Sequence, residues 1–235
     1  MNGDLDVRSA ARETLPTVFG YIGIAMAFGI TARANGLSVL EIVLMSMITY
    51  AGSVEFVVVS LIVLHAGIGA IVLSAFLVNA RAILMSTVIA PYTAHESLWK
   101  NIWLGTLLTD ETFALGTSKL NYTDRRLSFS WLNTANVMAY VTWAISSGIG
   151  GVLGNMIPNP EKYGIGFALV AMFIGLLYLQ VVAAKSIKLT IQLSVIGIVA
   201  VLMYFGMAVM PQHALLLVVA LVGCFAGVVM KRVVK

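Results

Sequence analysis

The sequence predicts an all-α fold, a polytopic membrane helix bundle of about eight transmembrane segments. Three observations carry that expectation. Hydrophobic residues make up 60% of the 235 positions, charged residues only 10%, and the mean hydropathy is +0.98. A soluble domain carries about 25% charged residues, so a water-soluble chain of this length has nowhere to hide so much apolar surface. The apolar residues are also gathered into runs near the ~20 residues that cross a bilayer as a helix, separated by short polar stretches with Gly, Pro or Asn. One integral membrane domain over residues 1–235 is expected, because bundled spans share one apolar solvent.

The first span runs from about Leu15 to Ala32, with Pro16 where a helix start tolerates it. Residues 1–14 are polar, lack the pattern of a cleavable signal, and are expected to be a cytoplasmic N-terminal segment. The second span, Ser38 to Leu64, contains the stretch Tyr50-Ala51-Gly52-Ser53-Val54-Glu55-Phe56. His65 to Gly69 is a tight connection to a third span, Ala70 to Ala90, with Arg81 inside it and a polar break headed by Pro91 after it. The fourth, Leu98 to Ser118, is the least apolar and carries Asp110 and Glu111; dropping it leaves seven spans as the alternative. The fifth lies between Ser130 and Leu153, and the sixth runs from Gly164 to Ala183. Leu189 to Met230 is 42 residues without a formal charge, enough for two helices turned at residues 206–213.

Charge placement favours eight. With both ends inside, Arg8, Arg12, Lys119, Arg125, Arg126, Lys185, Lys188, Lys231, Arg232 and Lys235 fall on the inner side. Arg33, Lys100 and Lys162 fall on the outer side. Residues 231–235 are then a cytoplasmic tail. A faint internal repeat relates residues 28–47 to 150–175, each with a Gly-rich helix end, a polar break and an apolar helix. The lone Cys224 sits in an apolar run and excludes an intrachain disulfide. The formal charge of +4 belongs to the loops and ends, and no basic aromatic module suggests nucleic acid. His65, His95 and His213 have no metal-ligand spacing, and Gly148 to Gly151 reads as helix packing. Neither a metal nor a cofactor is expected.

Four ionisable residues lie within spans: Glu55, Arg81, Asp110 and Glu111. Each costs about 2.5–3.5 kcal/mol at the bilayer centre on insertion scales unless it pairs or faces water, so such groups mark a pathway or a structural ion pair. At 1.5 Å per residue, Glu55, Asp110 and Arg81 lie roughly 14, 12 and 17 Å from the inner side, near one depth. Asp110 and Glu111 project about 100° apart, so only one is expected to face a given cavity. Asn79 precedes Arg81 by two positions, and Thr109 and Thr112 flank the acidic pair. Asn133, Asn136 and Tyr140 share one face of span five.

The small residues Ala51, Gly52 and Ser53 admit two readings. They allow close helix packing, or they break the helix where it lines a cavity. A break exposes N–H groups that favour an anion, and Glu55 just after it could then bind an ammonium group or carry a proton. Ser53 beside a histidine does not make a hydrolase, because the strained elbow of G-x-S-x-G is missing. The chain is expected not to be an enzyme.

At these residues the chain resembles the AzlC-type branched-chain amino acid exporters. Residues 51–56, the Asn79-Ala80-Arg81 triplet, residues 109–115, 14–38 and 164–177 carry the likeness, which covers roughly residues 12–210. It departs at Glu55, where that family often has Gln, and at Ala82, where it often has His. The resemblance implies an exporter of valine, leucine, isoleucine or similar amino acids in the bacterial inner membrane, in a heteromeric complex with a small AzlD-type membrane subunit. Arg81, or the half-helix start at Gly52 and Ser53, would hold the carboxylate. Glu55 or Asp110 would hold the ammonium group, and proton antiport would follow if one carboxylate bound proton or substrate but not both. A channel or a structural subunit is the alternative.

Overall fold

The computed structural model describes residues 1, 3–157, 160–164, 167–183, 187–210 and 212–233, and the elements they form are all helices, with no strand among them. Two compact units divide the chain, Met1–Leu176 and Leu177–Lys235. The first holds α1 (Val7–Ala34), α2 (Val39–Ile48), α3 (Gly52–Val63), α4 (Ile68–Thr93), α5 (Leu98–Thr106), α6 (Asp110–Lys119) and α7 (Phe129–Leu153). The division falls within α8 (Ala168–Ala183), and α9 (Leu189–Gly206) and α10 (Gln212–Val233) lie in the second unit. Lys185, Lys235 and Pro211, which entered the charge count and the expected turn at 206–213, lie outside the described residues.

Among the described residues, four helices are long and apolar enough to cross a membrane: Val7–Ala34, Ile68–Thr93, Phe129–Met156 and Leu189–Gly206. Spans two and four are both interrupted, one as α2 and α3, the other as α5 and α6.

Helix α1 begins well before the expected Leu15. The Asp6 carboxylate accepts the Ser9 N–H at 2.8 Å, which caps the helix at Val7 and leaves Pro16 inside it rather than at its start. Proline there removes one backbone bond, and the long helix absorbs it. Pro91 is likewise inside the last turn of α4 rather than after it. The Asn101 amide donates to the Thr93 carbonyl at 3.1 Å and satisfies that end. Ser38 and Glu41 form a reciprocal capping box that starts α2.

Helices α1 and α7 pack closely because neither carries a side chain at the crossing. A Cβ on Gly29 would overlap the Ser147 carbonyl, and one on Gly150 would overlap the backbone of Met26. In a bilayer this close approach, rather than hydrophobic exclusion, holds helices together.

A buried ion pair ties α1, α6 and α7. Lys119, expected in an inner loop, is fully buried: its Nζ lies 2.8 Å from Glu13 Oε2 and 5.2 Å from the Trp131 ring centre. The Trp131 indole also donates to Glu13 at 3.2 Å. The reason is local. Because α1 starts at Val7, Glu13 rides on a helix, and α6 carries Lys119 back to meet it.

The interruptions reveal a tandem arrangement. A long helix, a short turn and a broken helix occur twice, as α1–α2/α3 and as α4–α5/α6. The end of α4 follows the end of α1 by 59 residues (Ala34 to Thr93), and α5 follows α2 by the same step (Val39 to Leu98). The repeat read from sequence paired residues 28–47 with 150–175, of which 158–159 and 165–166 lie outside the described residues.

In the second unit, α9 and α10 meet at glycines: Gly206 against Leu215 and Gly223 against Val199.

Candidate functional site

Both breaks open onto one cavity of about 150 Å³ within the first unit. A cavity of about this volume holds a molecule the size of benzene, so the space suits a small solute and not a peptide. Its polar wall includes Ser53, Asn79, Arg81, Asp110 and Glu111; its apolar wall includes Ala82, Met85, Leu108 and Trp143.

Arg81 stands at the centre. Its Nη1 pairs with Asp110 Oδ2 at 2.9 Å, and its Nη2 donates to Ser53 Oγ at 2.7 Å. One guanidinium on the unbroken α4 thus bridges the first turns of α3 and α6. The fork geometry of arginine permits this, where a lysine would supply a point charge.

Helix α6 starts at a capping box, in which Thr109 Oγ1 accepts the Thr112 N–H and Thr112 Oγ1 accepts the Thr109 N–H. Asp110 and Glu111 occupy its first turn, and both line the cavity. The expectation that only one would do so is corrected. Side chains tilt toward a helix N-terminus, so at the start of a half-helix both acids lean into the break. The Tyr21 hydroxyl on α1 donates to Glu111 Oε2 and lies 2.7 Å from Thr109 Oγ1. Tyr21 is only 3% exposed and was missed in the sequence. Its signal was a tyrosine inside an apolar span, whose hydroxyl must find a partner there.

Helix α3 starts differently. Its N-cap, Ala51, offers no side-chain acceptor. Glu55 reaches back instead, and its Oε1 accepts the Ala51 N–H at 3.2 Å. The same carboxylate accepts from Ser46 Oγ at 3.2 Å and from Trp143 Nε1 at 3.1 and 3.0 Å. Glu55 is fully buried and is not among the residues lining the cavity; the Trp143 ring stands between them. A carboxylate one turn past the break was expected to face the cavity, but at that position it is better placed to satisfy the N-cap. Trp143 was the missed partner, an aromatic in an apolar helix with nothing in its spacing to mark its N–H as a donor to Glu55. Gly52 is required beneath it, since a Cβ there would lie 2.6 Å from Trp143 Cη2. Close packing and a helix break, alternatives in the sequence, therefore occur together.

Asn136 stays outside. It is fully buried and donates to the Leu104 carbonyl at 3.1 Å. Asn133 accepts the Trp103 indole N–H at 2.7 Å, and the Tyr140 hydroxyl donates to the Met47 carbonyl at 3.0 Å. That face of α7 fastens α2 and α5 rather than lining the cavity. The structure therefore brings Gly52, Ser53, Asn79, Arg81, Asp110 and Glu111 together and leaves out Glu55 and Asn136. Among the described residues no cluster of three or more His, Cys, Asp or Glu offers a metal site.

Paired interrupted helices that meet at a charged cavity are a recurrent build of multi-pass membrane transport proteins, where half-helix ends can bind a solute. The chain belongs to the AzlC family: residues 16–157, which contain every residue of the cavity, match the family described as AzlC protein. It is 28% identical over 198 residues to the inner membrane protein YgaZ of Escherichia coli strain K12, across 80% of this chain and 78% of that protein. It is 27% identical over 174 residues to the branched-chain amino acid transport protein AzlC of Bacillus subtilis strain 168, across 71% of this chain and 65% of that one. An uncharacterized membrane protein of Helicobacter pylori J99 is 28% identical over 172 residues, across 71% and 72%. No solved structure matches the chain. The chain is a multi-pass membrane protein with a transport role.

Proposed function

We propose that this protein exports branched-chain amino acids, valine, leucine and isoleucine, across the bacterial inner membrane. It works with a small AzlD-type membrane subunit and with both termini in the cytoplasm. The observation that carries the reading is Arg81 suspended between Ser53 and Asp110 in a small cavity with an apolar wall. A branched-chain amino acid is a zwitterion with a short apolar side chain. A guanidinium and a half-helix start suit its carboxylate, an aspartate suits its ammonium group, and Met85, Leu108 and Trp143 suit the side chain. The name of the Bacillus relative, a branched-chain amino acid transport protein, points to the same substrate class.

Transport is coupled to protons in this reading. An entering ammonium group competes with Arg81 for Asp110, and a carboxylate that accepts either a proton or the substrate, but not both, yields antiport.

The test is export from cells lacking their own exporters and fed a valine-containing dipeptide. Valine efflux should require this chain and its small partner. Asp110→Asn should lower efflux about 100-fold, the loss expected when one partner of a desolvated charge pair is removed. Unchanged efflux with the chain absent, or full efflux in Asp110→Asn, contradicts the reading.

A further inference from the structure

One residue of the cavity wall is under two kinds of stress. Tyr50 sits in the break between α2 and α3 with φ at 41°, a backbone conformation that bulky side chains rarely adopt. Its ring packs edge-on against Tyr140, with centroids 4.8 Å apart, and Tyr140 is itself fixed to the Met47 carbonyl. The Tyr50 hydroxyl, so placed, is buried and has no hydrogen-bond partner. Tyr50 lines the same cavity as Ser53 and Arg81.

Backbone strain and an unsatisfied buried hydroxyl each cost free energy. A local relaxation to negative φ would relieve the first, but the packing of Tyr50 on Tyr140 opposes it. Strain and orphaned polar groups of this kind gather at binding sites, where a ligand makes the missing bond.

We propose that the Tyr50 hydroxyl donates a hydrogen bond to the carboxylate of the bound amino acid. The proposal rests on reading the cavity as the substrate site. A phenol can itself donate to a carboxylate or accept from an ammonium group. Two features favour the carboxylate over the ammonium group. Tyr50 lies next to the α3 start, whose N-cap offers no side-chain acceptor and whose N–H groups favour an anion. The carboxylates that suit the ammonium group, Asp110 and Glu111, belong to the other break. Tyr50 then joins Arg81 and Ser53 as a substrate ligand, and it discriminates amino acids from the corresponding amines.

The experiment compares the wild-type chain with Tyr50→Phe, each with its small partner, in proteoliposomes. Three quantities are read: the KM for valine, inhibition by isobutylamine (valine without its carboxylate), and the thermal midpoint without substrate. The expected result is a KM raised about 10-fold, the effect of losing a hydrogen bond to a charged group, with isobutylamine inhibition unchanged. The midpoint should stay the same or rise, because the phenylalanine removes an unsatisfied hydroxyl. An unchanged KM overturns the proposal, as does a lowered midpoint with unchanged KM, which would mark the hydroxyl as structural. Equal weakening of valine and isobutylamine overturns the carboxylate assignment. A wild-type chain that transports no branched-chain amino acid overturns the functional reading itself and the proposal with it. Valine transport indifferent to Tyr50→Phe overturns the proposal alone.

Discussion

The two interrupted helices are built alike and finished differently. Each breaks after a nine- or ten-residue half-helix, and each restarts with acids in the first turn, Glu55 in α3 and Asp110 with Glu111 in α6. At the second break, threonines satisfy the backbone through a capping box, so both carboxylates are free to face the cavity. At the first break no side chain caps from the N-cap position, so Glu55 turns back to do part of that work and is lost to the cavity. One half-helix start is left offering donors, the other acceptors, and Arg81 spans the gap. The polarity of the cavity thus follows from a capping choice: Thr109 at one break, Ala51 at the other.

The far ends differ too, and the largest expected effect lies there. Helix α6 is pinned at its last residue by the buried Lys119–Glu13 pair, whereas α3 runs out at Val63 and Leu64, both exposed. Lys119→Met should destabilise the protein by about 3–5 kcal/mol, the usual result of breaking a buried pair. A thermal melt in detergent checks this, and the double variant Lys119→Met with Glu13→Leu should recover much of the loss. Next comes the first break. Trp143→Phe keeps an aromatic ring, though a smaller one, and removes the N–H shared by both oxygens of Glu55; it should cost at least about 1.5–3 kcal/mol. Adding Glu55→Gln should cost less in that background than in the wild type, and a double-mutant cycle of melts would measure the coupling. The smallest effect is at the second break. Thr109→Ala makes its cap resemble that of Ala51 and should cost about 0.5–2 kcal/mol in stability. It also removes a hydrogen-bond partner of Tyr21, so a change in valine KM larger than the change in stability would sharpen the link between cap and site.

Much of the architecture was legible. The run of apolar segments, the small-residue break at residues 51–53 and the charges at similar depth all follow from sequence and known dimensions, and Arg81 with Asp110 meets as those depths suggest. The interruption of span four was also foreshadowed by its two acids, since carboxylates are favoured at a helix start. What a sequence does not show is which way a side chain turns once several helices compete for it. Glu55 lies within a few residues of Ser53 yet on the other side of a tryptophan from 88 positions away, and no spacing announces that contact. Lys119 read as a loop cation because a polar run follows it. It is buried against Glu13, which lies on a helix because α1 already begins at Val7, capped by Asp6. Tyr50 escaped notice because its strain and its lone hydroxyl exist only in three dimensions.

The central claim is that the cavity between the two breaks is where substrate sits. The most direct test replaces Cys224, the chain's one cysteine, by serine and places a reporter on the cavity wall with Ala82→Cys. Labelling of that thiol by a small maleimide would be timed with and without valine, in membranes that also contain the small subunit. The account predicts that valine slows labelling several-fold and that isobutylamine protects less well. If the variant still exports valine, yet saturating valine leaves its labelling rate unchanged, the substrate lies elsewhere and the account is contradicted.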